Sequence, residues 1–314
     1  MRLCCAAAWL HAQPACASEL AFVTNQGDNT VSVVELPAGI VRETLHVGAK
    51  PAGVAVSPDG AHAYVSNPDG HSISVIDRDA LGHHRVRAEI QAGSGPLGVA
   101  VSPQDGRVFV ADWYGNTVAM FDPGTLALIG TLHVGRSPCG MEVDAAGARL
   151  YVANRESDTV SVVDLATLAV IAEIPVGRAP FGVTVDPLGR VFVANVMSSD
   201  VSRIDPASLR EVQRLKVGAY PYAVAVTPDG SRILVTNQHA GTISVFDGTS
   251  YAKLPEIPVG DYPEGIAVSA DGNTAYVAVW MDDRLAAIDL ATGRVRHIKV
   301  GESPRAFGRF LGPP

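Results

Sequence analysis

Hydrophobic positions along this chain fall in short runs separated by clusters of Gly, Pro, Asp and Asn. The stretch from Gly48 to Asp77 shows the unit. Gly53-Val54-Ala55-Val56 predicts a first strand, and Ala63-Tyr64-Val65-Ser66-Asn67 a second. Ile73-Ser74-Val75-Ile76 predicts a third. Between the first two lies Ser57-Pro58-Asp59-Gly60, a tight turn, because proline presets φ and glycine accepts positive φ. Runs of this kind joined by short turn signals predict an antiparallel meander.

The unit recurs. Glycines that open a corner stand at 48, 93, 135, 177, 218, 260 and 301, with separations of 45, 42, 42, 41, 42 and 41. Each is followed three places later by proline: Pro51, Pro96, Pro138, Pro180, Pro221, Pro263 and Pro304. A β-rich period near 42 predicts a propeller, and seven corners predict seven blades. In the second strands one column carries Phe22, Tyr64, Phe109, Tyr151, Phe192, Leu234 and Tyr276, expected to form the core between blades. Three places on stand Asn25, Asn67, Asp112, Asn154, Asn195, Asn237 and Val279. Third strands end on Glu35, Asp77, Asp122, Asp164, Asp205, Asp247 and Asp289. Both polar columns are expected to be turn residues that bond nearby backbone.

The two ends are complementary. Residues 18–47 supply the second, third and fourth strands of a blade, and residues 304–311 (PRAFGRFL) supply a first strand alone. The expected fold is therefore all-β: a single seven-bladed propeller of four-stranded antiparallel blades over residues 18–314. Its ring is closed by the C-terminal strand completing the N-terminal blade, which removes the exposed sheet edges.

The runs Phe22-Val23-Thr24-Asn25, Tyr64-Val65-Ser66-Asn67 and Tyr151-Val152-Ala153-Asn154, each leading into a Thr/Ser-Val/Ile-Ser-Val run, resemble the YVTN-repeat β-propellers. The resemblance covers the chain beyond residue 17. It implies seven blades and a periplasmic or secreted location. For activity it leaves three readings open, because similar propellers include lactonases, dehydrogenase subunits and proteins without assigned activity.

Composition changes this picture only at the N-terminus and in the charge. Met1-Arg2, the apolar segment Leu3 to Leu10 and the small-x-small site Ala15-Cys16-Ala17 predict a short secretory leader over residues 1–17. Three of the four cysteines lie in it, leaving Cys139 alone and no internal disulfide after cleavage. No apolar run is long enough to span a bilayer. The net charge is -8 and becomes -9 when Arg2 leaves with the leader. An acidic chain of this kind argues against a nucleic-acid partner. A monomer is expected, and no cofactor or metal motif is evident.

Candidate chemistry falls on one face. In an antiparallel blade the corner before the first strand and the turn after the second share one end, while the regular Asp-Gly turns share the other. The corner end carries Trp113, Tyr114, Arg155, Met197, His239 and Trp280 in its turns, and Arg136, Arg178, Tyr220 and Tyr262 in its corners. Directly after the corner prolines come Ala52, Leu97, Cys139, Phe181, Tyr222, Glu264 and Arg305, expected to ring the channel mouth. Trp, Tyr and Arg dominate binding hot spots, and arginine holds carboxylates with two parallel bonds. The binding set is therefore Trp113, Tyr114, Arg136, Arg155, Arg178, Phe181, Tyr222, His239, Glu264, Trp280 and Arg305, facing a protein partner or a small anionic or aromatic ligand. Glu142 puts a carboxylate into a column of small residues beside the axis, and Arg309 intrudes on a column of valines. Were the site hydrolytic, Glu142, Glu264, His239 and Arg305 would be its candidate groups.

Overall fold

The computed structural model describes residues 19–313; the expected leader lies outside the described residues. Seven four-stranded antiparallel sheets surround one axis. Blade 1 holds Leu20–Asn25, Thr30–Glu35, Ile40–His46 and, innermost, Leu311–Gly312. Blades 2 to 7 follow as residues 54–91, 96–133, 138–175, 180–216, 221–258 and 263–299. Apart from strands, only two single-turn 3-10 segments occur among the described residues, Gln238–Ala240 and Trp280–Asp282.

The strands form because each second strand is buried on both faces. Phe22, Tyr64, Phe109, Tyr151, Phe192, Leu234 and Tyr276 are all at most 2% exposed, packed between neighbouring blades. Fourth strands alternate half-buried and exposed residues, as an outer edge must.

Towards the axis the blades converge until backbone meets backbone. A Cβ on Gly98 would lie 1.9 Å from the Cys139 carbonyl oxygen, and one on Gly140 would lie 2.3 Å from that of Phe181. Gly53, Gly182 and Gly265 occupy the same place two residues after a corner proline. Ala223 and Ala306 hold the place in blade 6 and in the closing segment, so the column admits nothing larger than a methyl group, and at Gly98 and Gly140 only hydrogen.

The buried Asn column departs from its expected role. Asn67 Nδ2 donates to Ser72 Oγ and Ser74 Oγ at 3.1 and 3.0 Å, and Asn25, Asn154, Asn195 and Asn237 repeat the pattern. The Nδ2 groups reach side chains on the third strand, and Asn25 Oδ1 also accepts from the backbone amide of Gly301 at 3.1 Å. These asparagines are fully buried, so hydroxyls of the third strand and the Asp200 carboxylate serve as their acceptors. Each Asn also sits under a corner glycine: a Cβ on Gly135 would be 2.6 Å from Asn154 Cγ. In blade 3, Asp112 takes the position and accepts from the Ser94 and Gly95 amides at 2.9 and 2.8 Å. In the third-strand column Asp122, Asp164, Asp205, Asp247 and Asp289 bond turn backbone as expected, whereas Glu35 pairs with Arg42 and Asp77 with His62 and Arg87. Asp164 Oδ1 accepts from the Ala166 and Thr167 amides and the Thr167 hydroxyl, and those bonds hold its carboxyl below the usual range.

A further column ties blade to blade. Arg107 donates to the Leu165 carbonyl, Arg149 to Pro206, Arg190 to Gly248 and Arg232 to Leu290, each reaching the outer turn of the next blade.

The ring closes through an irregular strand. Leu311 and Gly312 pair with Ala21 and Leu20, while Pro304 bridges Asn25 and the Phe22 amide donates to Phe310. On its other side the same segment accepts from Val54 and Val56, through Phe307 and Arg309. The expected regular strand over 304–311 is broken because Ala306 and Gly308 take positive φ, 47° and 103°. The segment is thus bonded to blades 1 and 2 together.

Deleting residues 305–314 should remove both sets of bonds and lower the melting temperature by at least about 10 °C, since each kcal/mol moves a large domain by ~2–4 °C. An unchanged melting curve would contradict this closure. Tyr151→Ala should cost about 3–5 kcal/mol in denaturant unfolding, as loss of a buried aromatic does. Trp113→Ala, at a half-buried position, should cost clearly less.

Candidate functional site

Six corners turn sharply at the residue before their proline, while in blade 3 the positive φ falls on Gly93 instead. Lys50, Ser137, Ala179, Tyr220, Tyr262 and Ser303 all have φ between 52° and 58°. In blades 6 and 7 this left-handed position carries tyrosine, which a bulky side chain adopts at some cost. The two rings are engaged. Tyr220 stacks on His239 with centroids 3.8 Å apart, and the Tyr262 hydroxyl lies 3.2 Å from His239 Nε2. Trp280 continues the row, its ring 5.9 Å from Tyr262.

Inside this rim is a cavity of about 460 Å³. It is lined by Trp113, Tyr114, Arg155, Phe181, Tyr220, Tyr222, His239 and Arg305, with Pro68, Gly95, Leu97, Val196 and Gln238 between them. Its floor is aromatic. Phe181 and Tyr222 stack at 4.1 Å, and Phe307 meets Phe181 edge-on at 5.4 Å. Arg155 lies over Phe181 and Arg305 over Tyr222, at 5.9 and 5.8 Å from the ring centres.

The two arginines differ in how they are held. Arg305 Nε donates to Glu264 Oε2 at 2.6 Å, and its Nη2 reaches both Glu264 Oε1 and the Tyr222 hydroxyl. Gln238 Nε2 also donates to Glu264 Oε1, at 3.0 Å. Arg305 Nη1 keeps its donors unpaired among the described residues. The Arg155 side chain makes no hydrogen bond or ion pair among them and lies over the Phe181 ring. Burial pushes the Glu264 carboxyl up, against the opposing pull of the Arg305 cation. Burial works against the Arg305 cation, but Glu264 and Tyr222 more than offset it, so it stays charged. Burial also holds the Tyr222 phenol well above its ordinary value.

The predicted binding residues divide accordingly. Trp113, Tyr114, Arg155, Phe181, Tyr222, His239 and Arg305 meet at the cavity, and Glu264 lies directly behind Arg305. Trp280 belongs to the rim. Arg136 and Arg178 stand on exposed corners outside the lining; Arg136 Nη2 donates instead to the Glu156 carbonyl at 2.6 Å. Gln238, Pro68 and Val196 were not anticipated from the sequence. A signal existed, since they share with Trp113, Arg155 and Trp280 the single column directly after the position that is Asn in most blades, Asp112 in blade 3 and Val279 in blade 7. Cys139 is fully buried against backbone carbonyls, and burial pushes its thiol up to about 12.

Glu142 does not line this cavity. It sits on the inner strand of blade 4, where Oε2 accepts from the Val185 amide at 3.1 Å. Desolvation outweighs the attraction of Arg309 and raises its carboxyl from 4.5 to about 7. Among the described residues no three His, Cys, Asp or Glu gather as a metal centre requires, and no helix is long and apolar enough to cross a membrane.

A carboxyl raised on folding is protonated in the folded chain before the unfolded one, so its contribution falls as pH rises from 4.5 to 7. Glu142→Gln should therefore raise the melting temperature at about pH 8 and leave it nearly unchanged at about pH 4. Equal shifts at the two pH values would show that Glu142 is ionised without penalty.

Comparison with known proteins places the fold. The model of the YNCE-like beta-propeller family matches residues 3–310. No curated protein matches the chain. Among solved structures, hydrazine synthase of Kuenenia stuttgartiensis is 24% identical with a TM-score of 0.69, over 78% of this chain and 79% of that one. A candidate 6-phosphogluconolactonase from Bacteroides uniformis is 18% identical with a TM-score of 0.77, over 91% and 98%. The dihydro-heme d1 dehydrogenase NirN, solved in complex with DHE, is 16% identical with a TM-score of 0.69, over 94% and 76%. At these identities the likeness is one of fold.

Proposed function

Because the chain belongs to the YNCE-like β-propeller family, a fold that hosts unrelated activities, we propose from its site that it is a periplasmic binding protein. It holds a small ligand with anionic and aromatic character in the corner-face cavity. The observation that carries this reading is the inequality of the two arginines: Arg305 is anchored by Glu264 and Tyr222, while Arg155 is left without a polar partner over an aromatic floor. An anchored guanidinium beside a free one, in a concave apolar site, is an arrangement that receives an anion.

Hydrolysis, as in the name of the Bacteroides neighbour, needs a base or nucleophile in the cavity. Glu264 is the carboxylate beside it, and both its oxygens already accept bonds from Arg305 or Gln238. Glu142 lies elsewhere on the inner strand of blade 4. The lining contains no serine or cysteine, and its one imidazole, His239, is stacked on Tyr220 with Nε2 3.2 Å from the Tyr262 hydroxyl. Membership of the family, the N-terminal leader pattern and the absence of a membrane-crossing helix among the described residues all support a periplasmic location.

The test is to incubate the protein with the small-molecule fraction of a periplasmic extract and weigh it by native mass spectrometry. A discrete adduct is expected on the wild type, reduced at least about tenfold by Arg155→Gln, the loss a single arginine–carboxylate contact of ~1.4 kcal/mol would produce. Turnover of 6-phosphogluconolactone that disappears in Glu264→Gln would replace binding with hydrolysis.

A further inference from the structure

We infer that the corner-face cavity selects flat aromatic monocarboxylates, with Glu264 setting the charge of the ligand that is accepted. This deepens the binding reading above and rests on it. The argument begins with shape. Phe181 and Tyr222 form one stacked pair, 29° from parallel, and the two guanidinium groups lie over its two members. Because a guanidinium stands over each ring, a ligand's anionic group meets the cations at the pair, while its own ring packs beside them against Trp113 and the Tyr220–His239 pair, which line the remaining wall. A volume of about 460 Å³ holds one ring with a short side arm.

Charge then narrows the substituent. The fixed charges at the site are two cations, Arg155 and Arg305, and one anion, Glu264, paired to Arg305. One guanidinium is therefore uncompensated, and a singly charged group balances it. A dianion such as a phosphate monoester would set a second negative charge against Glu264 through Arg305, with no cation left to meet it. Geometry points the same way. Arg155 has its whole planar fork free, which suits the two oxygens of a carboxylate, and Arg305 Nη1 adds further donors. An aliphatic anion would satisfy the arginines but leave the aromatic wall uncovered.

Glu264 is accordingly a specificity-determining residue rather than a catalytic one. It touches Arg305 and Gln238, and Thr236 donates to its backbone carbonyl at 2.8 Å. Removing its charge changes what Arg305 can receive.

The full chain is titrated by calorimetry at pH 8 with trans-cinnamate, its neutral amide, phenyl phosphate, acetate and inorganic phosphate. Cinnamate should bind at least about tenfold more tightly than cinnamamide and phenyl phosphate, with acetate and inorganic phosphate weaker still. Arg155→Gln, which breaks no bond within the protein, should keep the melting temperature and bring cinnamate down to the level of its amide. Glu264→Gln should move the ratio of phenyl phosphate to cinnamate affinity at least about tenfold towards phosphate, at unchanged wall contacts. Should Glu264→Gln fail to fold, the Arg155→Gln comparison decides. Equal binding of cinnamate and cinnamamide overturns charge selection and leaves the binding reading standing. Acetate or inorganic phosphate binding as tightly as cinnamate overturns the aromatic requirement. If no aryl probe binds while the extract still yields an adduct, this inference alone falls; if the extract yields none either, both fall.

Discussion

Seven sheets that radiate from one axis must bring seven inner strands to a shared centre, and there the distance between neighbouring backbones leaves room for a hydrogen or at most a methyl group. The column of Gly53, Gly98, Gly140, Gly182 and Gly265 answers that constraint directly. Once hydrogen occupies those positions, first strands can lie against the carbonyls of the next blade, and second strands fill the widening wedge with one large ring each. The widening continues outward to the arginines of blades 3 to 6, which bridge to the next outer turn where the gap becomes too wide for apolar contact. Loss of the central approach would separate every layer outside it.

The same convergence buries the ends of the blades. Buried asparagines donate to the hydroxyls of the third strand, and corner glycines exist because those amides sit beneath them. This explains why the corner face keeps a strict frame of Gly, Pro and Asn, yet varies freely in the positions just after the Asn and just after the Pro. Those positions stand where the blades meet at the mouth, several of them buried, as Ala52, Cys139, Phe181, Tyr222, Glu264 and Val196 are, and the repeat itself does not select their residues. In blades 3 to 6 they happen to supply aromatic and cationic side chains that meet over one cavity.

Closure and site are joined in one segment. The strand that completes blade 1 carries Arg305, whose amide donates to Thr24 and whose carbonyl accepts from Gly265. Its guanidinium then meets Glu264 of blade 7 and Tyr222 of blade 6. A cavity built mainly from blades 3 to 6 thus depends for its anchored cation on the two chain ends coming together. The buried Arg305–Glu264 pair gains little net stability from its charges alone, since desolvation offsets attraction. Its value is positional: it fixes the direction of one guanidinium.

The sequence by itself determined the blade count, the strands, the closure and the face that varies, because each follows from a local rule repeated seven times. Turn chemistry, alternation and the 42-residue period are visible in any single unit and confirmed by the next. The aromatic core column and the outer Asp turns were legible for the same reason. What the sequence could not decide is which variable residues meet. Arg136, Arg155 and Arg178 were all placed on one face, yet only Arg155, directly after the buried Asn154, lines the cavity, while Arg136 and Arg178 stand exposed on their corners. Gln238 looked ordinary until Glu264, far along the chain, came within 3.0 Å. The asparagine amides likewise read as turn residues until burial set them against side chains of the third strand. Periodic features are set by neighbours in sequence, whereas the site is set by neighbours across blades, and only the closed ring brings those together.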